Sequence, residues 1–477
     1  MNMASPPVAA EHPHRTPGWR DRAAGVLLAS AAGDALGAGY EFSYPDPETT
    51  IAMIGGGPFG FAPGEWTDDT SMAVAIARVT ATGADLNSVA GLDEVAAGFR
   101  QWYSSGPKDI GNQTRTVLSA RDVDAAAMTA TAARLTGRKG GNGSLMRTAA
   151  VGIAYLDDAT GCIEAAARVS SLTHDDERAR QACQLWSFAI RHAVLHGTFD
   201  GVRRYLDVAD AEVADYWGAL LDQAESGAPE QFPNNGWVVH ALQTAWWAIT
   251  HADRSNAGHL PAALELAVRA GHDTDTTAAI AGALLGARWG ASAVPARWRR
   301  VLHGWPGLAS ADLIRLAAMT ANCGPDDDEG WPSTPHLAYR NWATHRGPVA
   351  HPHDHGLFLG GYDSAFEGRY DAVVSLCRMG SERLDAEHVE FWLIDEGPTG
   401  NPNLEFVLAD AARTVRDLRA EGKKVLLHCV EGSSRTPSVA ARYSMLLGQD
   451  PNQVLAAMPW AHPNPELWLA ATGSSLA

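Results

Sequence analysis

The chain has 477 residues, of which 46% are hydrophobic and 19% charged, with a formal net charge of -18. That length exceeds one ordinary core and calls for two or three domains. The charge disfavours broad binding to nucleic-acid phosphates while allowing a local basic pocket. Five cysteines, Cys162, Cys183, Cys323, Cys377 and Cys429, contain no CxxC pair. A disulfide framework or structural zinc site is therefore not expected, and a reducing compartment fits.

Residues 1–18 are rich in Pro and lack an apolar core, so they read as a loose tail and not a signal peptide. No apolar run reaches the roughly 20 residues needed to cross a bilayer; AAGVLLASAAGDALGAGY is interrupted by Asp34 and full of Gly. A cytoplasmic location without membrane contact is expected. From Trp19 to about Ala321 apolar residues recur three and four apart, as in SMAVAIARVTA, ERARQACQLWSFAIRHAVLHG, VVHALQTAWWAIT and TAAIAGALLGARW. That spacing predicts an all-α domain over 19–323. A stretch rich in Pro, Gly, Asp and His follows and reads as a linker over 324–355. Over 356–477 short apolar runs (GLFLGG, YDAVVSLC, VEFWLID, VLLH) alternate with helical pattern, predicting a small α/β domain with a largely parallel sheet.

Two segments in the helical part open apolar helices with Thr and Asp: Thr67, Asp68 and Asp69 in the first, Asp273, Asp275 and Thr276 in the second. Either alone is an ordinary helix cap. Together they offer four carboxylates and two hydroxyls, hard oxygen ligands suited to Mg²⁺ or Mn²⁺ and not to zinc. Two such ions suit activation of a water. Three further features accompany them: a helix of small residues running on to Glu41, a Gly-rich RKGGNGSLMR around Asn142 with a basic Lys139 before it, and VSSLTH ending at His174. Small residues in a helix mean close packing, a lone Gly cluster can cradle a phosphate or a ribose, and a lone His before a helix is commonly a packing residue.

In this order, GDALG…EF, WTDDT, GNGSLMR, SSLTH and DTDT resemble the ADP-ribosylglycohydrolase family over about residues 20–320. The resemblance implies a helical bundle around two Mg²⁺ or Mn²⁺ ions. Thr67, Asp68, Asp69, Asp273, Asp275 and Thr276 would bind the metals and Glu41 would sit at the mouth and assist catalysis. Gly141, Asn142, Gly143 and Ser144 would approach the diphosphate and distal ribose, and His174 would contact ribose or phosphate. The implied reaction is attack of water at the anomeric carbon of ADP-ribose, releasing it from a modified protein or nucleic-acid end.

In the α/β part, VLLHCVEGSSRT places Cys429 at the end of a strand and Arg435 at the start of a helix, with Gly432 letting the loop curl its N–H groups inward. Such an anion nest favours a thiolate, and a thiolate facing phosphate is a nucleophile. HCVEGSSRT resembles the signature loop of cysteine-dependent phosphatases, closest to the dual-specificity group, over roughly 350–470. The resemblance implies Asp395 as general acid, with Glu396 its immediate rival, Thr436 assisting loss of phosphate from sulfur, and His428 as a structural residue; the phosphorylated substrate is left open. The expected whole is a bifunctional hydrolase, or a fusion in which one domain is silent and serves as an ADP-ribose or phosphate binding module. A target carrying both groups would explain the fusion.

Overall fold

The first helix, α1 (Trp19–Gly37), is buried on every side from Asp21 onward, which its run of Ala and Gly allows. The computed structural model describes residues 15–120, 124–324, 346–379 and 384–476. The first fourteen residues of the expected tail and most of the expected linker lie outside the described residues. The end of that tail is anchored: Arg15 pairs with Asp157 at 2.8 Å and the Thr16 hydroxyl donates to the Leu195 carbonyl at 2.7 Å.

Through the first two thirds of the chain the expected helices form. Helix α2 (Asp68–Thr80) starts at the cap of Thr67, and α3 (Glu177–His196) starts at the cap of Asp176 and ends where Gly197 turns left-handed at φ 69°. Helix α4 (Thr274–Trp289) lies against α1 along its length. The contact is made by missing side chains. A Cβ on Gly286 would fall 2.0 Å from the Gly25 carbonyl oxygen, one on Gly282 2.2 Å from that of Ala29, and one on Gly33 2.2 Å from that of Ala278. Near the far end, a Cβ on Gly37 would fall 2.4 Å from the Asp275 nitrogen.

The C-terminal part is a small α/β unit. Its strands are β1 (Val349–His351), β2 (Asp354–Gly360), β3 (Ala372–Ser375), β4 (Glu387–Glu390) and β5 (Val425–His428). They lie in the order β1-β2-β5-β3-β4, antiparallel between β1 and β2 and parallel elsewhere. Helices α5 (Leu404–Ala420) and α6 (Arg435–Leu446) pack on this sheet. Two details differ from expectation. Strand β1 forms inside the stretch read as linker, because its backbone completes the sheet edge beside β2. The VEFWLID run enters the sheet earlier and leaves it earlier: past Phe391 the Leu393 carbonyl is taken by Arg435, and Ile394 by the Asn401 amide.

The two parts share an interface with buried polar contacts. The Asp410 carboxylate accepts from the Ala296 N–H at 2.8 Å, and Asn403 donates to the Trp289 carbonyl at the end of α4. Arg299 donates to the Glu390 carbonyl at 2.8 Å and lies over the Phe391 ring. Ser292 joins both parts, donating to Asp21 of α1 at 2.5 Å and accepting from Asn403 at 2.8 Å.

The α1–α4 contact yields a direct test. Gly286→Ala forces backbone apart and is expected to cost about 1–3 kcal/mol, the range for overpacked cores. Gly347→Ala, outside any helix and with nothing near its would-be Cβ, serves as the control and leaves stability unchanged. Thermal unfolding of the two variants reads the difference.

Candidate functional site

The close approach of α1 and α4 brings three chain segments to one place. Asp34, near the end of α1, accepts from the Thr67 N–H at 2.9 Å, the Thr70 N–H at 3.0 Å and the Thr70 hydroxyl at 2.6 Å, so it holds the start of α2. The Thr276 hydroxyl of α4 donates to Asp69 at 3.0 Å, tying α2 to α4. Asp34, Asp69 and Asp275 offer carboxylate oxygens within 4.8 Å of one another, as do Glu41, Asp273 and Asp275. Asp68 belongs to neither trio but is buried in the same field. The Thr67 hydroxyl accepts from the Asp69 N–H at 3.4 Å.

Burial dominates the electrostatics. Desolvation raises Asp68, Asp69 and Asp275 well above the carboxylate range, and neighbouring carboxylates push them further. Glu41 is pushed up to about 9 by burial first and then by Asp273, Asp109, Asp68 and Asp34. Asp273 is raised by burial too, against the opposing hydrogen bond from Asn142. Three oxygens, Glu41 Oε2, Asp69 Oδ2 and Asp275 Oδ1, are buried without a hydrogen-bond partner. Buried carboxylates left in that state are costly unless a cation compensates them. All donors are hard oxygens, so the set fits a magnesium- or manganese-type ion.

Beside this cluster lies the glycine cradle. Asn142 donates to Asp273 Oδ2 at 2.7 Å and to the Asn235 carbonyl at 2.9 Å. A Cβ on Gly143 or Gly141 would lie 3.3 or 3.4 Å from His174 Nε2, so the glycines keep that nitrogen accessible from the cradle. Buried Arg147 donates to the Thr173 hydroxyl at 2.7 Å, and that hydroxyl meets His174 Nδ1, also at 2.7 Å, which holds the ring in place. Its Nε2 faces the cradle. Burial, helped by Arg147, lowers its pKa to about 3, so the ring is neutral. Ser144 differs from expectation: its hydroxyl accepts from Ser170 at 3.0 Å and lies 3.5 Å from the Cys183 sulfur, inside the core, so its side chain is spent on packing. Lys139 is likewise engaged, with the Ala133 carbonyl at 2.7 Å and Asp175 at 3.6 Å.

Four residues of this site escaped the sequence reading as site members. Asp34 was visible only as a break in an apolar run. Asp109 lies in a polar loop with no flanking pattern, yet its charge raises Asp68 and Glu41. Asn235 bridges the Gly271 carbonyl and the Asp273 N–H from a turn. Arg147 closes the GNGSLMR segment that had been singled out for its glycines.

With this geometry in view, the comparisons decide the family. A family model described as ADP-ribosylglycohydrolase matches residues 15–327. The chain belongs to the ADP-ribosylglycohydrolase family. It is 32% identical over 319 residues to an ADP-ribosylarginine hydrolase, Tri1, of Pseudomonas putida (strain GB-1), covering 65% of this chain and 80% of that relative. It is 29% identical over 295 residues to the ADP-ribosyl-(dinitrogen reductase) glycohydrolase of Rhodospirillum rubrum, covering 59% and 90%. A solved ADP-ribosylglycohydrolase-related protein complex superposes with a TM-score of 0.50 at 28% identity, covering 64% of this chain and 98% of that one.

A second cluster of the predicted residues surrounds Cys429 at the end of β5. Gly432 turns at φ 73°, and a Cβ there would lie 2.8 Å from the Gly360 carbonyl oxygen, so this loop position requires glycine. Arg435 donates to the Leu376 and Leu393 carbonyls at 2.9 and 3.0 Å, fixing its direction. Asp395 accepts from the Ser434 hydroxyl at 2.5 Å, which places it beside the loop. Thr436 is fully buried, its hydroxyl 3.4 Å from the Gly360 carbonyl. His428 donates from Nδ1 to the Cys429 carbonyl at 3.1 Å and accepts at Nε2 from the Ser375 hydroxyl at 2.7 Å. Burial lowers its pKa to about 3.

His174 and His428 make one pH prediction. Their folded pKa values lie below the roughly 6.5 of a free imidazole, so the unfolded chain binds more protons as pH falls. Both rings are expected to stay neutral at pH 5 by NMR. The stability they permit is complete above about pH 6.5 and is lost progressively as pH falls toward 3.

Proposed function

We propose that this chain hydrolyses the glycosidic bond between ADP-ribose and a modified target, using divalent metal in the helical part. The observation that carries the reading is the buried carboxylate cluster, with three unpartnered oxygens, set beside the glycine turn that faces His174. Thr67, Asp68, Asp69, Asp273, Asp275 and Thr276 would hold the two ions. When bound, the ions supply Lewis-acid charge to polarise water and the ribose hydroxyls. The cradle does the orienting. His174 Nε2 and the main chain at Gly141 and Gly143 would face the diphosphate or distal ribose, while the Asn142 N–H is given to the Gly236 carbonyl at 3.1 Å. Asn142 meanwhile holds Asp273 in place. Glu41, at the mouth with a free Oε2, is suited to receive or return a proton near the scissile bond. The surrounding carboxylates favour the positive charge of an oxocarbenium-like transition state. The name of the Pseudomonas relative supports arginine as the linkage.

The C-terminal part supports a second activity, hydrolysis of a phosphate monoester. What favours it is the Ser434–Asp395 hydrogen bond, which brings an acid to the anion loop between Cys429 and Arg435. The Cys429 thiolate would attack phosphorus while Asp395 gives its proton to the departing oxygen, and water would then cleave the cysteinyl phosphate. Arg435 and the loop N–H groups bind the phosphate oxygens. Thr436 would assist the second step.

A panel of arginine-, serine- and nucleic-acid-linked ADP-ribose tests the first activity. Asp68→Asn is expected to lower kcat by about 100-fold or more on the linkage cleaved. Full activity of that variant contradicts the reading, and tight ADP-ribose binding without release from any linkage would make the helical part a binding module. On an aryl phosphate, Cys429→Ser should abolish turnover and Asp395→Asn should slow it by about 100-fold. Cys429→Ser with wild-type turnover would exclude the cysteine route.

A further inference from the structure

Glu41 is 8% exposed and its Oε2 has no hydrogen-bond partner, yet it belongs to no helix. Helix α1 ends at Gly37, and Glu41 stands in the turn beyond, its carboxylate within 4.8 Å of those of Asp273 and Asp275. A buried oxygen without a partner is costly, so an unrestrained turn would carry Glu41 out to water. Something holds the turn down.

The restraint comes from the residues that lead into α4. The Phe42 N–H donates to the His272 carbonyl at 2.6 Å, and the His272 N–H donates to the Ser43 carbonyl at 3.2 Å, making one antiparallel bridge. The Tyr44 hydroxyl meets His272 Nε2 at 2.5 Å, with the rings edge to face at 4.9 Å. A Cβ on Gly271 would fall 2.4 Å from Tyr44 Cδ1, so the tyrosine ring presses on backbone that only glycine allows. Further along, Arg269 donates to the Asp46 and Thr49 carbonyls at 3.3 and 2.7 Å. Asn235 holds Gly271 and Asp273 from the other side.

Backbone strain marks the same place. Three non-glycine residues among those described adopt positive φ, and two of them meet here, Phe42 at 58° and His272 at 60°. Left-handed backbone at such residues persists only where the surroundings over-determine it. Each strained residue adjoins one carboxylate, Phe42 next to Glu41 and His272 next to Asp273. Tyr44 itself is 65% exposed, so its ring fills no core.

We propose that Tyr44 and His272 are positioning residues: their contact staples the Glu41 turn to the lead-in of α4 and fixes where the Glu41 carboxylate stands relative to Asp273 and Asp275. This rests on the proposed ADP-ribosyl hydrolase reading and deepens it. The two side chains act through Glu41, whose proton transfer near the scissile bond depends on its placement; a shift of about 1 Å can cost about 100-fold in rate.

Tyr44→Phe removes the hydroxyl and keeps the ring on Gly271. In full-length protein its thermal midpoint should not change and its KM should stay within about twofold, while kcat on the cleaved linkage should fall about tenfold. His272→Asn, suited to left-handed backbone, should do the same. In a Glu41→Gln background, itself slowed, Tyr44→Phe should cost nothing further, because residues that act through one group are not additive. A tenfold loss that persists in that background would place the effect on the acidic cluster at large and overturn the inference. So would an unchanged kcat in Tyr44→Phe. Hydrogen exchange reads the staple without turnover: Tyr44→Phe should speed exchange of the Phe42 amide by about tenfold and leave the amides in the middle of α1 unchanged. If the wild type releases ADP-ribose from no linkage, the hydrolase reading fails and exchange alone decides the staple, which an unchanged Phe42 rate refutes.

Discussion

The approach of α1 to α4, backbone to backbone, is the constraint on which the buried carboxylate cluster depends. Gly25, Gly33 and Gly37 on one helix and Gly282 and Gly286 on the other leave no room for a single Cβ. Interiors packed at that density transmit displacement instead of absorbing it. Asp34 rides on α1 and grips the first turn of α2 through three hydrogen bonds, while Asp273, Asp275 and Thr276 ride on the start of α4. The separation of the two acidic clusters is thus set by glycines that carry no side chain of their own to the site. The same α4 ends at Trp289, where the C-terminal part grips it through Asn403. One helix therefore connects the carboxylate cluster to the interface with the second unit.

Around that frame the charges are arranged asymmetrically. Arg147 is buried beneath the cluster and is itself lowered to about 10 by desolvation, with Cys183 and Asp68 opposing the shift. It also holds Thr173 and, through it, the His174 ring. One buried cation so close to many carboxylates is insufficient compensation, which is why the three orphaned oxygens matter. In the C-terminal unit the polar chain is neutral: His388 and His428 both bond the Ser375 hydroxyl, at 2.9 and 2.7 Å, and both are held below the usual imidazole range by burial. That chain braces the backbone of Cys429 from below, while Arg435 is aimed by two carbonyls from neighbouring segments.

Much of this was legible in the residues. Thr67, Asp68 and Asp69 and their counterparts Asp273, Asp275 and Thr276 stood out because two caps carried more carboxylates than capping uses. The helical period ran to within a residue of the observed ends at Gly197, and VLLH is strand β5 without adjustment. What escaped the sequence has physical reasons. Asp34 sits in an Ala-rich helix, where one acid looks like an interruption until its three donors from α2 are seen. Asp109 and Asn235 lie on loops whose positions only tertiary packing determines. Ser144 belongs to the right motif but spends its hydroxyl on Ser170, because a short 3₁₀ turn directs it inward. The strand expected at VEFWLID was shifted by side chains of Arg435 and Asn401, partners distant in sequence.

The central claim is that the two acidic clusters form one divalent-cation site, and metal binding tests it without reference to turnover. Metal-stripped full-length protein titrated with Mn²⁺ should take up two ions per chain by calorimetry, with protons released as the buried carboxyl groups ionise. Asp275→Asn should weaken that uptake strongly, and Gly347→Ala should leave it unchanged. No saturable binding, or binding that survives Asp275→Asn intact, would contradict the account.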